Sequence, residues 1–277
     1  MPKYDLDFQP AQRRRRDQVV RFLLGFGAVL LLLTVASAIA LQQDGFLDNI
    51  LDNNTTTQPE DYTEEPVWAH TGSATFLLSA HDNARQNLHF AILVQVELET
   101  REIRITPLNP RETTLVQGLR DGDLRGLQNA AEALTETRID RYIATADSAF
   151  IRAINDMGSV TVQVEEGIRF RSPAFSLTLA QGTQRVQGDM LLRYFRYLGL
   201  NESTLPQQGE LLKTVLETYL VPRNAETTAM LEQRFHALGN VLTTDISVAD
   251  FFANRDMLMD LLAESEQIVI KVEGNQV

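Results

Sequence analysis

Phe22 to Leu41 is a run of twenty residues without one charged side chain, and no other feature limits so tightly what this chain can fold into. At 1.5 Å of rise per residue, a helix of that length reaches about 30 Å, one hydrocarbon thickness. A helix is required there because no backbone group can go unpaired in lipid. The flanks differ in sign: Arg13 to Arg16 and Arg21 precede the run, and Asp44, Asp48 and Asp52 follow it. Basic flanks stay inside, so the sequence predicts a cytoplasmic tip at 1–21, a transmembrane helix at 22–42 and everything beyond outside the membrane. Ala36-Ser37-Ala38 and Ala38-Ile39-Ala40 also suit signal-peptide cleavage. A retained span is preferred, since apolar residues continue through Ile39 to Leu41. The expected location is a cell membrane, crossed once, with the main domain outside.

Charge separates the two sides of that span. Six basic and three acidic residues give the first 21 residues +3, so with a total of −12 the rest of the chain carries −15. An acidic body is a poor partner for nucleic acid, which needs a basic face to displace counterions. No nucleic-acid partner is expected. Cysteine is absent, which excludes disulfides, thiolate metal sites and a Cys nucleophile. Lysine occurs only at Lys3, Lys213 and Lys271, and neither a P-loop GK[ST] nor a Ser-x-x-Lys pair exists.

Residues 43–72 are polar and acidic with little to bury, the composition of an extracellular linker. From residue 73 to 277 the pattern is that of one α/β domain. Ala74–Ser79 reads as a short apolar strand, and His89–Glu99 as a buried run that ends alternating. Glu102–Leu108 alternates with Ile103 and Ile105 on one face, making a hairpin with the strand before it. Gly126–Thr135 has helical spacing, and Arg141–Ala146 is a strand. Asp147 is expected to cap a helix stopped by Gly158, before a strand at Val160–Val164. Helical stretches follow near 188–200, 210–220, 225–238 and 250–263, with a last strand at Gln267–Glu273. Strands interleaved with helices predict a central mixed sheet flanked by helices.

Little of the usual catalytic vocabulary is present. No H-E-x-x-H, G-x-S-x-G or G-x-G-x-x-G occurs. His81 and His89 would face the same way only on one unbroken strand, and Asp121-Gly122-Asp123 reads as a solvated turn rather than a calcium loop. Arginine is the residue that stands out beside buried elements. Pro110-Arg111 follows the strand Glu102–Leu108 at a strand's carboxyl end, where α/β sheets place ligands. Arg193 and Arg196 are three apart on one helix and can reach one target. The guanidinium fork matches two phosphate oxygens at once, although surface arginines with carboxylate neighbours would look the same.

Those residues resemble the LytR-CpsA-Psr family of membrane-anchored cell-envelope proteins. Gly182, Gln184, Val186, Gly188, Leu191, Leu192, Tyr194 and Arg196 fall on the family's G-x-Q-x-L-x-G-x-x-A-L-x-Y-x-R. Ile139, Asp140, Tyr142, Phe150, Gly158, Val160 and Val162 are similar to its I-D-x-Y…D-x-x-G-G-V-x-V segment, with Asn155 in place of the acid. Pro110-Arg111 matches its P-R-[DE] turn, and Val241–Phe252 its late T-D-[IL]-[ST] helix start. The resemblance implies a channel for a polyprenyl chain. It also implies transfer of a glycopolymer from a polyprenyl-pyrophosphate carrier to peptidoglycan. By that resemblance Arg111 and Arg196 are the catalytic candidates, Arg85 and Arg193 supply substrate contacts, and Asp82 places Mg²⁺. After Arg196 the family's further arginines are missing from Tyr197–Lys213. A second implication therefore stands beside the first: an inactive relative that binds a lipid carrier, wall polymer or partner enzyme.

Overall fold

The computed structural model describes residues 72–121, 124–219, 242–247, 250–251, 253–254 and 267–274. The expected tip, span and nearly all of the linker lie outside these residues, as do the helix at 225–238 and most of that at 250–263. Among the described residues, no helix is long and apolar enough to cross a membrane.

The apolar run beginning near His89 is strand β2 (Leu88–Glu97), whose first seven residues are all buried. A strand buried on both faces needs cover on both, and it receives it. β1 (Ser73–His81) and β3 (Glu102–Leu108) flank it antiparallel. β4 (Arg141–Ala146) pairs parallel with β1. Two short strands from the end of the chain, β9 (Thr243–Thr244) and β10 (Val269–Val272), complete the order β10-β3-β2-β1-β4-β9. This is the mixed sheet expected.

Alternation sorts the side chains to two layers. Leu77, Ala91, Leu93 and Ala144 face helices α1 (Thr113–Arg120) and α2 (Leu124–Thr135), which contribute Leu115, Leu119, Leu127 and Ala131. Phe76, Leu78, Phe90, Ile92, Ile103 and Ile105 face the larger layer, built from α3 (Asp147–Met157), α4 (Gly188–Leu198) and α5 (Leu205–Tyr219). There Phe90, Phe150 and Phe195 pack with ring centroids 4.9–6.1 Å apart. Each such aromatic pair adds about 0.5–1.5 kcal/mol beyond its area burial.

Two ribbons cover α4 and α5. One pairs β5 (Val160–Val164) with β8 (Gly182–Val186), the other β6 (Ile168–Arg171) with β7 (Ser176–Leu179). Of these only β5 is predicted by the sequence reading, and α1 is not predicted at all. α4 sits hard on α3, since a Cβ at Gly188 would lie 2.4 Å from the Ile151 carbonyl oxygen. Asn155 Oδ1 accepts the Gly188 N–H at 3.0 Å, so the amide serves where the resembled motif has an acid. At the other end of the domain, Asp250 accepts from the Ser247 N–H and hydroxyl while Ser247 Oγ accepts from Asp250 N. That reciprocal cap also leaves Asp250 bound to buried Arg141.

Candidate functional site

Strands β10, β3, β1 and β4 run in one direction and β2 in the other. The carboxyl ends of four strands and the start of β2 therefore make one rim, the edge where open α/β sheets bind ligands. Three of the five arginine and acid candidates lie on it: Asp82 and Arg85 after β1, and Arg111 after β3.

Asp82 organises the first of these loops. The β1–β2 register shifts at Ala80/His81, and the loop to Asn87 closes on the Asp82 side chain. Oδ1 accepts the Gln86 N–H at 2.7 Å, and Oδ2 accepts from the Asn87 side-chain amide. Burial would raise this carboxyl, but the Asn87 amide, the N–H groups of Gln86 and Asn87 and nearby His89 outweigh it and hold the pKa below the usual 3.8. Arg85 has positive φ (54°), its N–H donates to the Asp82 carbonyl at 3.0 Å, and it is exposed. Arg120, from the last turn of α1, donates twice to the Gln86 carbonyl at 3.0 and 3.1 Å. It steadies the loop and escaped the sequence reading because α1 did.

Arg111 is exposed; its Nη1 donates to the Leu200 carbonyl at 3.2 Å, just past the end of α4. Asn109 Oδ1 accepts the Arg111 N–H at 3.0 Å, and the Asn109 amide donates to Glu202 at 3.2 Å. The approach depends on Gly199, where a Cβ would come 2.9 Å from Pro110 Cγ and 3.1 Å from the His89 carbonyl oxygen.

His89 is buried, and its Nε2 lies 2.7 Å from Asp147 Oδ1, without hydrogen-bond alignment. This corrects the expected cap: the N-cap position of α3 is Ala146, no side chain caps it, and Asp147 is the first helical residue, turned to His89. Ser148 Oγ donates to Asn83 Oδ1 at 3.4 Å, tying α3 to the Asp82 loop. His81 and His89 do not share a strand, because the loop from Asp82 to Asn87 divides them.

Arg193 and Arg196 do reach one target, but it is protein. Arg193 pairs with Asp189 at 3.0 Å and donates to the Ser176 carbonyl at 3.1 Å. Arg196 lies over the Phe175 ring, 4.5 Å from its centroid. Phe175 packs on Phe170, which packs on Tyr197. Both arginines thus brace the β6–β7 hairpin rather than project from the sheet rim.

Asp82 does not fit a resident Mg²⁺ well. Both of its oxygens already accept hydrogen bonds, and among the described residues no three His, Asp or Glu side chains gather for a metal.

The LytR_cpsA_psr family model matches residues 124–277, more than half of the chain. Among solved structures, a proposed transcription regulator from Eubacterium siraeum aligns with TM-score 0.61 at 12% identity, covering 80% of this chain and 89% of its own. TagV of B. subtilis aligns with TM-score 0.54 at 13% identity, covering 72% and 84%. TagT bound to LIIa-WTA aligns with TM-score 0.52 at 13% identity, covering 76% and 81%. At these identities the likeness is one of fold. No curated protein sequence matches at a significant level.

Proposed function

Since this chain belongs to the LytR_cpsA_psr family, we propose that it handles a polyprenyl-pyrophosphate-linked glycopolymer at the outer face of the cytoplasmic membrane and passes it to peptidoglycan. The observation that carries this reading is the rim, where Arg85 and Arg111 follow the carboxyl ends of β1 and β3, two strands that run in the same direction on either side of β2. TagT, a fold neighbour, is bound to LIIa-WTA, and a ligand of that kind is what the rim would meet. In the transfer, an acceptor hydroxyl oxygen of peptidoglycan attacks the phosphorus that bears the glycopolymer. The bond to the bridging oxygen breaks with its electron pair going to the departing polyprenyl phosphate, the hydroxyl proton passes to that phosphate or to water, and a phosphodiester forms. Such reactions ask mainly for positioning and charge neutralisation, which arginine supplies. The span at 22–42 and linker at 43–72 would hold the domain within reach of the carrier lipid.

A second reading is binding without transfer. It is favoured by the spent state of the other candidates: Asp82 closes its own loop, and Arg193 and Arg196 hold the hairpin. One experiment addresses both. The full chain in detergent is given a polyprenyl-pyrophosphate-linked oligosaccharide and peptidoglycan fragments, with and without Mg²⁺, and polyprenyl phosphate release is measured. Turnover above that of Arg111→Ala supports transfer. Absence of turnover, with thermal protection by polyprenyl phosphate that Arg111→Ala loses, supports binding alone. Neither result in the wild type would reject the rim as a site.

A further inference from the structure

A groove of about 610 Å³ opens between β5, the turn before β6, α4 and α5, within the size range of small-ligand pockets. Among the described residues, none that lines it is basic, whereas Glu165, Glu166 and Glu210 all line it. Among the described residues, none of these three carboxylates has an ion-pair partner. Acidic residues on a surface are ordinary; the side chain between them is not. Tyr194 is only 9% exposed and lines the groove; its ring is packed away, while its hydroxyl is not among the fully buried polar atoms and has no protein partner among the described residues. Burial, then the charge of Glu165, then Tyr197 push this phenol above its ordinary value of 10, so it stays protonated and neutral at physiological pH.

We propose that this groove binds an amine-bearing ligand through its ammonium groups, with Glu165, Glu166 and Glu210 supplying the charge and Tyr194 Oη accepting from an N–H. Tyr197, also in the lining, offers a ring face to the same cation. A phosphate-bearing ligand is repelled by the three carboxylates. A neutral glycan would cover them and leave their charge uncompensated. The ammonium group could come from an amino sugar or from a lysine-containing peptide. The proposal uses none of the rim residues, so it stands or falls apart from the phosphate reading.

The test is calorimetric titration of the full chain with chitotriose, its N-acetylated counterpart triacetylchitotriose, and tetralysine, at low and moderate salt. Chitotriose should bind at least about tenfold more tightly than the acetylated trimer and weaken as salt rises. Glu210→Gln should reduce its affinity about 3–10-fold, consistent with one charge-assisted contact at a partly exposed site. Tyr194→Phe should weaken it several-fold with an unchanged melting temperature, an effect that non-specific attraction to an acidic protein would not show. Glu99→Gln, an exposed acid in the β2–β3 turn, should change nothing. Competition by tetralysine supports recognition of ammonium groups in general; failure to compete supports an amino sugar. Equal affinity for both trimers, binding by neither, or a Tyr194→Phe protein that binds like wild type would overturn the proposal.

Discussion

The sheet rim and the groove beside α4 hold charge in opposite ways. On the rim three charged groups already have a protein partner: Asp82 its own loop, Arg111 the Leu200 carbonyl, Arg120 the Gln86 carbonyl. In the groove three carboxylates of one sign stand without a counter-ion among the described residues, around a phenol without a partner. One helix serves both regions, since α4 delivers Leu200 to the rim and Tyr194 and Tyr197 to the groove. The difference separates groups held by protein from groups open to solvent. A rim ligand would meet groups already oriented, with little left to order. A groove ligand would meet exposed carboxylates of one sign, so its gain lies in neutralisation.

The largest expected effect is on the seat the two regions share. Gly188→Ala drives a Cβ into the Ile151 carbonyl and should cost about 1–3 kcal/mol, read by denaturant unfolding. If α4 couples the regions, that variant loses affinity at both; loss at one alone breaks the comparison. Next, Arg111→Ala removes an exposed cation from the rim. It should weaken polyprenyl phosphate binding roughly tenfold or more, as one charge-assisted contact of about 1.5–3 kcal/mol implies. Chitotriose binding should be untouched, and the melting temperature nearly so.

Smaller still is the acid sensitivity of the rim. The folded Asp82 carboxyl lies below its ordinary 3.8, so its contribution is fully present above that pH and fades as pH falls through 3.8 toward the folded value. Solvent screening limits it to about 0.5 kcal/mol. Asp82→Asn should flatten that part of the stability profile between pH 5 and pH 3, to be measured by urea midpoints. Smallest is Glu165→Gln. Removing this negative charge should bring the Tyr194 titration part of the way back toward 10, seen by ultraviolet absorbance, while burial keeps it raised.

The parts legible in the sequence are those whose signal is local. β1 to β5, α2 and α4 follow from alternation, helical spacing and glycine stops, and Arg111 was legible as an arginine at a strand's end. α5 begins at Leu205, five residues earlier than spacing alone suggests, because Pro206 is tolerated in a first turn. β6 and β7 are four residues each, too short for Ile168 and Phe170 or Leu177 and Leu179 to make a period. Missing them hid the fate of Arg193 and Arg196, whose partners Ser176 and Phe175 belong to that hairpin. His89 and Asp147 meet across 58 positions of chain, and Glu165 comes near Tyr194 only once β5 packs on α5 and the groove between them has formed. Such meetings are tertiary, and no window of sequence contains them.

The strand order carries a consequence for biogenesis. The inner strands β3, β2, β1 and β4 are complete once residue 146 has emerged, but their two outer flanks are covered in part, over two residues by β9 and four by β10, by strands that arrive after residue 242. For roughly a hundred residues of synthesis the nascent sheet presents bare hydrogen-bonding rows on either side, the condition in which strands add to the wrong neighbour. The chain's last segment thus works as a closure, and a ribosome that stops short of it would release a molecule with its inner strands in place and both margins open to self-association.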